Sequence, residues 1–232
     1  MSINCLKTCQ LSFISVYLLT NRLALRHLAC TFIILTGFFG CRNNTETAII
    51  PDNCRLSAGD VVFRKGEGMT SRAVVFADKG GVYSHVGIVA DSAGIPMIIH
   101  AVPGEPDFDG DPDRVKMDTP RKFFSSVNAS AGEVCRFRGS PEVARRAAMY
   151  AIQVYRRGTL FDHDYDDTDT TKMYCCELVE AAYTHAGMPL TDGRKHCLSF
   201  PGMGTYRCML PSDILNSPKL SRYMVFTDGK KQ

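Results

Sequence analysis

The first forty residues of the chain contain neither aspartate nor glutamate. Arg22 and Arg26 precede an apolar run over residues 28–40, and Cys41 follows directly. A basic patch, a short apolar run and a small residue before a cysteine are typical of a bacterial lipoprotein signal. The run is shorter than the roughly 20 residues that a membrane-spanning helix needs. We therefore predict that residues 1–40 are a cleaved signal segment and that Cys41 is lipidated.

Two features of this segment leave alternatives open. Phe38 stands where lipoprotein signals usually have leucine, and a second apolar patch, residues 11–19, lies upstream of the arginines. An uncleaved membrane anchor and ordinary export are the alternatives. The favoured location is the bacterial cell envelope, with the chain anchored to a membrane on the periplasmic or outer-membrane side.

An excess of positive charge is also lacking once this segment is set aside. The full chain has 27 Lys and Arg against 24 Asp and Glu. Residues 1–40 contain Lys7, Arg22 and Arg26, so 24 cationic residues remain against 24 acidic ones. A nucleic-acid-binding surface requires a concentration of positive charge. We therefore expect no nucleic-acid partner.

The cysteines after Cys41 lack the C-x-x-C spacing that is typical of structural zinc sites. There are six of them, at Cys54, Cys135, Cys175, Cys176, Cys197 and Cys208. Because export would permit disulfides, Cys197 and Cys208 are the favoured pair. The alternative is that all six are ordinary small residues with free thiols.

The acidic stretch before Cys175 has an incomplete calcium-binding pattern. Asp162, Asp164 and Asp166 match the start of an EF-hand loop. Asp167 stands at the sixth position, where glycine is needed, and Met173 stands at the twelfth, where glutamate is needed. We therefore predict a solvated loop, and no metal or other cofactor for the protein.

The rest of the chain divides into a polar tether, residues 41–55, and one domain, residues 56–232, which is long enough for a single core. Strand patterns mixed with separate helices, without regular alternation, predict an α+β fold. Ser140 as N-cap and Pro141 in the first turn predict a helix that ends near Arg156.

Two histidines lie on neighbouring predicted strands, residues 85–90 and 95–101. If the turn is centred between Ser92 and Ala93, residues whose numbers sum to 185 face each other, and His85 then faces His100. Directly opposed side chains have Cβ atoms about 4.5–5.5 Å apart. We therefore predict that the two imidazoles lie on one face and share a hydrogen bond.

A cysteine stands where a second helix is predicted to begin. That helix runs from Cys175 to about Ala186, with Gly187 as its C-cap. The thiolate is the reactive form of cysteine, and a helix N-terminus lowers the pKa of a thiol. His85 could take the thiol proton and His100 could orient His85, while backbone N–H groups of the first turn could stabilise an oxyanion. This combination predicts a cysteine nucleophile.

Three segments carry a resemblance to a known group: GDVVF at residues 59–63, YSHVGIV at 83–89 and YCCELV at 174–179. Together they resemble the YiiX-like permuted papain-fold cysteine hydrolases of the NlpC/P60 superfamily, which includes the lecithin–retinol acyltransferase-like proteins. The resemblance implies a circularly permuted papain-like fold. In that fold an antiparallel sheet or barrel half precedes, and packs on, the helix that carries the nucleophile.

The resemblance also implies roles for particular residues. Cys175 would be the nucleophile, His85 the base and His100 the third polar member of a Cys-His-His triad. His100 is closer to the acyltransferase-like pattern, because YiiX-like sequences often have glutamate at that position. Asp162 matches a Phe-Asp or Tyr-Asp element of the family.

Four residues are candidates for substrate contacts. They are Tyr83, Ser84, Tyr174 and Asp162. The alternative for the two tyrosines is that they are core or rim aromatics.

The favoured function is hydrolysis of an amide through an acyl-enzyme, with a cell-wall peptide or another envelope amide as substrate. One alternative is hydrolysis or transfer of lipid acyl esters by the same residues. The other is a non-catalytic envelope binding module that has kept the fold. Pocket size and polarity would separate the two enzymatic functions, because both share the acyl-enzyme step.

Overall fold

The computed structural model describes residues 47–79, 81–165, 169, 171–200 and 204–229. The predicted signal segment and its cysteine lie outside the described residues, and their cleavage and lipidation stay predictions. Asp166 and Asp167, which belong to the incomplete EF-hand pattern, also lie outside the described residues. No helix in the described part of the chain is long and apolar enough to cross a bilayer.

The described residues contain ten strands and five helices. The strands are β1 (Val61–Lys65), β2 (His85–Ser92), β3 (Ile95–Val102), β4 (Arg114–Asp118), β5 (Ala131–Phe137), β6 (Leu160–Phe161), β7 (Lys172–Met173), β8 (His196–Phe200), β9 (Gly204–Cys208) and β10 (Leu220–Thr227). The helices are α1 (Met69–Ala77), α2 (Pro120–Phe123), α3 (Pro141–Arg156), α4 (Cys175–His185) and α5 (Pro211–Leu215).

Eight of these strands form one sheet in the order β10-β5-β1-β2-β3-β4-β6-β7, and β8 and β9 form a separate hairpin. All pairings in the large sheet are antiparallel except that of β6 with β7. Helices lie between strands without regular alternation, so the predicted α+β class, with a mainly antiparallel sheet, is confirmed.

The side chains of the central strands alternate between two apolar layers, as the period of a strand requires. Phe63, Ile88 and Ile99 lie in the layer that includes the buried residues of α3 and α4. Val62 and Val89 lie in the opposite layer, which includes aromatic residues of α2 and β10. The sheet is therefore covered on both faces, and α4 packs on only one of them.

Both predicted helices are confirmed. Helix α3 begins at Pro141, and the Ser140 hydroxyl accepts a hydrogen bond of 3.2 Å from the Glu142 N–H. Helix α4 begins at Cys175, and Gly187, just beyond its end, has a φ of +83°. Local residues therefore set the start of α3 and the end of α4.

Gly59 is the point where the turn before β1 meets α3. Its φ is +89°, and a Cβ atom there would lie 2.5 Å from Ala144 Cβ and 2.6 Å from the Ala144 carbonyl oxygen. We expect Gly59→Ala to lower the free energy of unfolding by about 2–5 kcal/mol, since overpacking adds to the cost of a left-handed backbone. Gly158→Ala is the matched control, because Gly158 has a φ of +71° and nothing within 4 Å of its added Cβ. Urea unfolding should give the control a loss of only about 1 kcal/mol, and equal losses would contradict the α3 contact.

Part of the predicted tether lies against the domain. Ala48 forms a β-bridge with Ser125, and the Ile49 N–H donates to the Phe124 carbonyl oxygen at 2.8 Å. Ile50 is buried in the same layer as Val62. Residues 47–55, which contain no long apolar run, thus join the domain through backbone pairing with the segment that follows α2, which composition does not reveal.

The disulfide expectation is not met in the structure. Cys197 and Cys208 have free thiols, as do the other four cysteines in the described part of the chain. Cys197 faces Arg207 across the β8–β9 hairpin and Cys208 faces His196. Adjacent register positions project to opposite faces of a two-stranded ribbon, so these two thiols point away from each other.

Candidate active site

The two predicted histidines lie together, although the predicted register is wrong. Val89 faces Ile98 and Ser92 faces Ile95, so paired residue numbers sum to 187 rather than 185. The turn is Ala93-Gly94, with φ values of +55° and +84°, instead of Ser92-Ala93. Two residues with positive φ are typical of a type I′ hairpin turn, which favours glycine at its second position.

A shift of two residues leaves every side chain on its original face. His100 therefore lies diagonally from His85 and directly opposite Gly87, on the same face. A Cβ atom on Gly87 would lie 3.2 Å from the His100 Cβ and 2.8 Å from Ile98 Cγ2. The missing side chain of Gly87 thus leaves the space in which the His100 ring approaches His85.

A buried chain of hydrogen bonds starts at His85. His85 Nε2 lies 2.9 Å from His100 Nδ1, and His100 Nε2 lies 3.1 Å from Asp118 Oδ2. Lys122 Nζ donates to the other oxygen, Asp118 Oδ1, at 2.9 Å. His100 is fully buried and Asp118 is 3% exposed, so water does not compete for these bonds.

An aromatic ring and a buried cation enclose the histidine pair. The Phe123 ring lies 5.7 Å from the His85 ring and 4.9 Å from the His100 ring, centroid to centroid. The Arg64 guanidinium lies over the same ring, donates to the Phe123 carbonyl oxygen at 2.9 Å and pairs with Glu105. Arg64 is also the direct register partner of His85 on β1. The imidazoles therefore have little freedom to rotate.

Cys175 interacts with His85, the member of this pair that lies at the start of β2. Helix α4 begins at Cys175, and the first intrahelical bond runs from the Leu178 N–H to the Tyr174 carbonyl oxygen at 3.0 Å. The amides of residues 175–177 precede that bond, as in the first turn of any helix. The Cys175 thiol interacts with the His85 side chain and with the Val86 N–H. His85 lies at the end of β2 rather than in its middle. Its ring can therefore contact the N-terminus of α4, although α4 packs on the other face of the sheet.

The two adjacent cysteines have opposite electrostatic environments. Their sulfur atoms lie 4.0 Å apart. A hydrogen bond from Cys176, followed by the interactions with His85 and the Val86 N–H, lowers the pKa of Cys175 well below its ordinary value despite burial. Burial, together with the charge of Cys175, raises the pKa of Cys176. Cys175 is partly exposed and Cys176 only 1% exposed, so the more acidic thiol belongs to the more exposed of the two residues.

Burial also favours neutral histidines in this site. It lowers the pKa of His85 to about 4, although the contact with Cys175 raises it, and the nearby Arg64 charge lowers it further. Burial lowers the pKa of His100 as well, against its hydrogen bond to Asp118. Because Nε2 of His85 faces His100, Nδ1 is the ring nitrogen left for the thiol.

We expect the reactivity of the Cys175 thiol to persist into acid solution. The lowered pKa of His85 means that its neutral, proton-accepting form is present above about pH 4 and is lost as the pH falls through that value. The pH dependence of alkylation by iodoacetamide, read at Cys175 by mass spectrometry, should have its acid midpoint near 4. A midpoint near the ordinary histidine value of 6.5 would show that His85 is hydrated rather than buried.

Three of the predicted substrate residues have hydroxyl groups that are already bonded within the fold. The Tyr83 hydroxyl donates to Glu133 at 2.9 Å, and the Ser84 hydroxyl accepts from the Gly66 N–H at 2.9 Å. The Tyr174 hydroxyl accepts from the Met209 N–H at 3.0 Å. These side chains are buried, and the structure gives them supporting positions around the site.

Asp162, the fourth predicted substrate residue, is 1% exposed. Its Oδ1 atom accepts from the Asp164 N–H at 2.9 Å, and its Oδ2 atom has no hydrogen-bond partner. Tyr165 follows with a φ of +54°, which is unusual for a bulky residue, and packs on Tyr174 with ring centroids 5.1 Å apart. This loop forms an aromatic wall beside the N-terminus of α4.

A cleft of about 790 Å³ runs along the outer side of α4. Tyr174 stands at one end and His185 at the other, and charged or polar side chains such as Glu177, Thr184 and Lys195 line it. Tyr174 directly precedes Cys175 in the chain, but Cys175 and His85 are not among the residues that line the cleft.

Sequence reasoning missed Asp118 and Arg64. Asp118 ends a stretch of alternating polar and apolar residues, RVKMD at positions 114–118, which is a strand signal. That pattern could have placed Asp118 on the same face as Lys116, but it does not reveal the neighbour of β4. Arg64 follows the apolar run of β1 and has no signal beyond its position.

Known proteins resemble this chain in sequence pattern and in fold. Residues 55–198 match the model of a family described as permuted papain-like amidase enzymes, YaeF/YiiX, C92 family. The chain is similar in structure to the metalloprotein yiiX from Escherichia coli O157:H7, with a TM-score of 0.59 and 20% sequence identity over 74% of this chain and 98% of that chain. Among curated proteins, none matches the sequence.

The fold agreement confirms the predicted permuted papain-like architecture. The solved relative is a metalloprotein. In the described part of this chain, no group of three or more histidine, cysteine, aspartate or glutamate side chains is placed to hold a metal ion.

Proposed function

The chain belongs to the permuted papain-like amidases of the YaeF/YiiX type, and we propose that it cleaves an amide with Cys175 as nucleophile, His85 as base and His100 as orienting residue. Members of this family are papain-like cysteine amidases or peptidases, which are hydrolases. The observation that carries the assignment is the acidic thiol of Cys175, a partly exposed residue, beside the buried His85–His100 pair.

The proposed reaction has two halves. Cys175 Sγ attacks the carbonyl carbon while His85 Nδ1 takes the thiol proton, and the oxyanion lies at the backbone N–H groups at the start of α4. His85 then gives its proton to the leaving amine nitrogen, the C–N bond breaks, and a thioester to Cys175 remains. A water molecule attacks the thioester as His85 takes one of its protons. The carboxylic acid product leaves, and the thiol regains its proton.

A peptide of the cell envelope is the proposed substrate. The family to which the chain belongs is described as one of amidases, and a peptide supplies the amide bonds on which such an enzyme acts. The acid-free segment before Cys41 supports a location at a membrane of the envelope.

The decisive experiment uses the full chain in detergent, incubated separately with purified peptidoglycan and with phospholipid vesicles. Mass spectrometry should detect new amino and carboxyl termini in the peptidoglycan fragments, and hydroxylamine should release an acyl group from Cys175. Cys175→Ala removes the nucleophile, and Cys197→Ala, which removes an exposed cysteine elsewhere, is the matched control.

Other products would overturn the proposal. Free fatty acid and lysophospholipid without peptide cleavage would favour the lipid acyl hydrolase. The absence of products and of any acyl-enzyme with both substrates would favour a non-catalytic binding module.

A further inference from the structure

The hydrogen-bond chain behind His85 ends at a carboxylate whose two oxygens have different partners. Asp118 Oδ2 lies 3.1 Å from His100 Nε2, and Asp118 Oδ1 accepts from Lys122 Nζ at 2.9 Å. Burial raises the pKa of Asp118, but the hydrogen bonds from His100 and Lys122 and the positive charge of Lys122 outweigh burial and hold it below its ordinary value. Asp118 is therefore ionised and can only accept hydrogen bonds.

A neutral imidazole has one N–H group, which donates, and one unprotonated nitrogen, which accepts. The direction of each hydrogen bond in the chain therefore fixes the direction of the next one. Because Asp118 only accepts, His100 must carry its proton on Nε2 and leave Nδ1 bare. His85 Nε2, which lies 2.9 Å from that Nδ1, must then carry the proton of His85. The remaining nitrogen, His85 Nδ1, is left bare toward Cys175.

We infer that Asp118 is a positioning residue that acts through His100 to keep the Nδ1 atom of His85 unprotonated and ready to accept the thiol proton. This inference rests on the proposed function, in which His85 is the base. The buried state of His100 supports it, because burial and the nearby Arg64 cation disfavour a doubly protonated ring.

Lys122 gives the inference a sharp test. An ammonium group only donates, so in Asp118→Asn the amide oxygen should turn to Lys122 and the amide NH₂ to His100. His100 Nε2 must then accept, its proton moves to Nδ1, and His85 Nε2 becomes the acceptor. The proton of His85 would sit on Nδ1, against the thiol, and the base would be lost.

Removing the ammonium should reverse this effect. In the double variant Asp118→Asn with Lys122→Met, nothing forces the amide oxygen away from His100, and the original proton positions can return. Lys122 also pairs with Asp107, and in the double variant Asp107 keeps its two other cationic partners, Lys116 and Arg114. A purely structural role for the Asp118–Lys122 pair would make the double variant worse than Asp118→Asn alone.

Two readouts on the full-length protein test the inference. Long-range ¹H–¹⁵N spectra of histidine-labelled protein report which ring nitrogen carries the proton, with His85→Gln and His100→Gln for assignment. The rate of Cys175 alkylation by iodoacetamide at neutral pH reports whether His85 can accept the thiol proton. We expect Asp118→Asn to move the His85 proton from Nε2 to Nδ1 and to slow alkylation about 10²-fold or more, the usual worth of a positioned base. The double variant should be alkylated at least tenfold faster than Asp118→Asn. Lys122→Met alone should slow alkylation less than Asp118→Asn does.

The outcomes separate this inference from the proposed function. Unchanged proton positions in Asp118→Asn, or no recovery in a double variant whose spectra show a folded chain, would overturn the inference. If the proton positions move as expected but no amide substrate is ever cleaved, the inference stands and the proposed function fails.

Discussion

Replacing Cys175 by alanine is expected to lower amide hydrolysis by more than about 10⁴-fold, as the loss of a nucleophile does. Cys176→Ser should keep activity within about tenfold of the unchanged protein. The two residues are adjacent, but only Cys175 is partly exposed and has a lowered pKa. A serine hydroxyl at position 176 can still donate toward Cys175, as the Cys176 thiol does across 4.0 Å. Hydrolysis assays, together with site-resolved alkylation by mass spectrometry, measure both variants.

Cys176→Ala supplies the third arm of this comparison. It removes the donor that contributes most to the lowered pKa of Cys175, so the alkylation of Cys175 at neutral pH should become slower. Activity that survives in Cys175→Ala and disappears in Cys176→Ser would transfer the nucleophile assignment to Cys176.

His85→Ala is expected to slow both hydrolysis and Cys175 alkylation at neutral pH by about 10²–10⁴-fold. The variant removes the imidazole that interacts with the thiol and leaves His100 without its partner at 2.9 Å. His185→Ala is the matched control for the alkylation rate, because His185 is exposed at the other end of α4, about 15 Å along the helix from Cys175. His185 stacks on Tyr150 with ring centroids 4.5 Å apart, so the control should change stability slightly and alkylation hardly at all. Equal rates in the two variants would mean that another group is the base.

The parts of the fold that depend on local chemistry could be predicted from the sequence. Ser140 and Pro141 place the start of α3, because a cap acts within one turn. The shared face of His85 and His100 was also predictable, since alternation along a strand survives a register error of two residues. The register itself was not, because Ala93 adopts a left-handed backbone that its side chain does not favour.

The remainder of the candidate site depends on contacts between distant segments. Asp118 reaches His100 only because β4 pairs with β3 after a long loop, and Arg64 reaches Phe123 across 59 positions. The hydroxyl groups of Tyr83 and Tyr174 were candidates for substrate contact. Their partners, Glu133 and Met209, lie 50 and 35 positions further along the chain. No local pattern encodes such pairings.

The separation of His85 from Cys175, 90 positions along the chain, has a consequence during biosynthesis. An unfolded cysteine has the ordinary thiol pKa near 8.5 and is mostly protonated at neutral pH. The β2–β3 hairpin can form early from local contacts, whereas the thiol gains its acidity only when the later helix docks against that hairpin. The newly made polypeptide therefore has no activated sulfur until its fold is complete. The onset of rapid iodoacetamide labelling at Cys175 should accordingly coincide with the last cooperative step of folding.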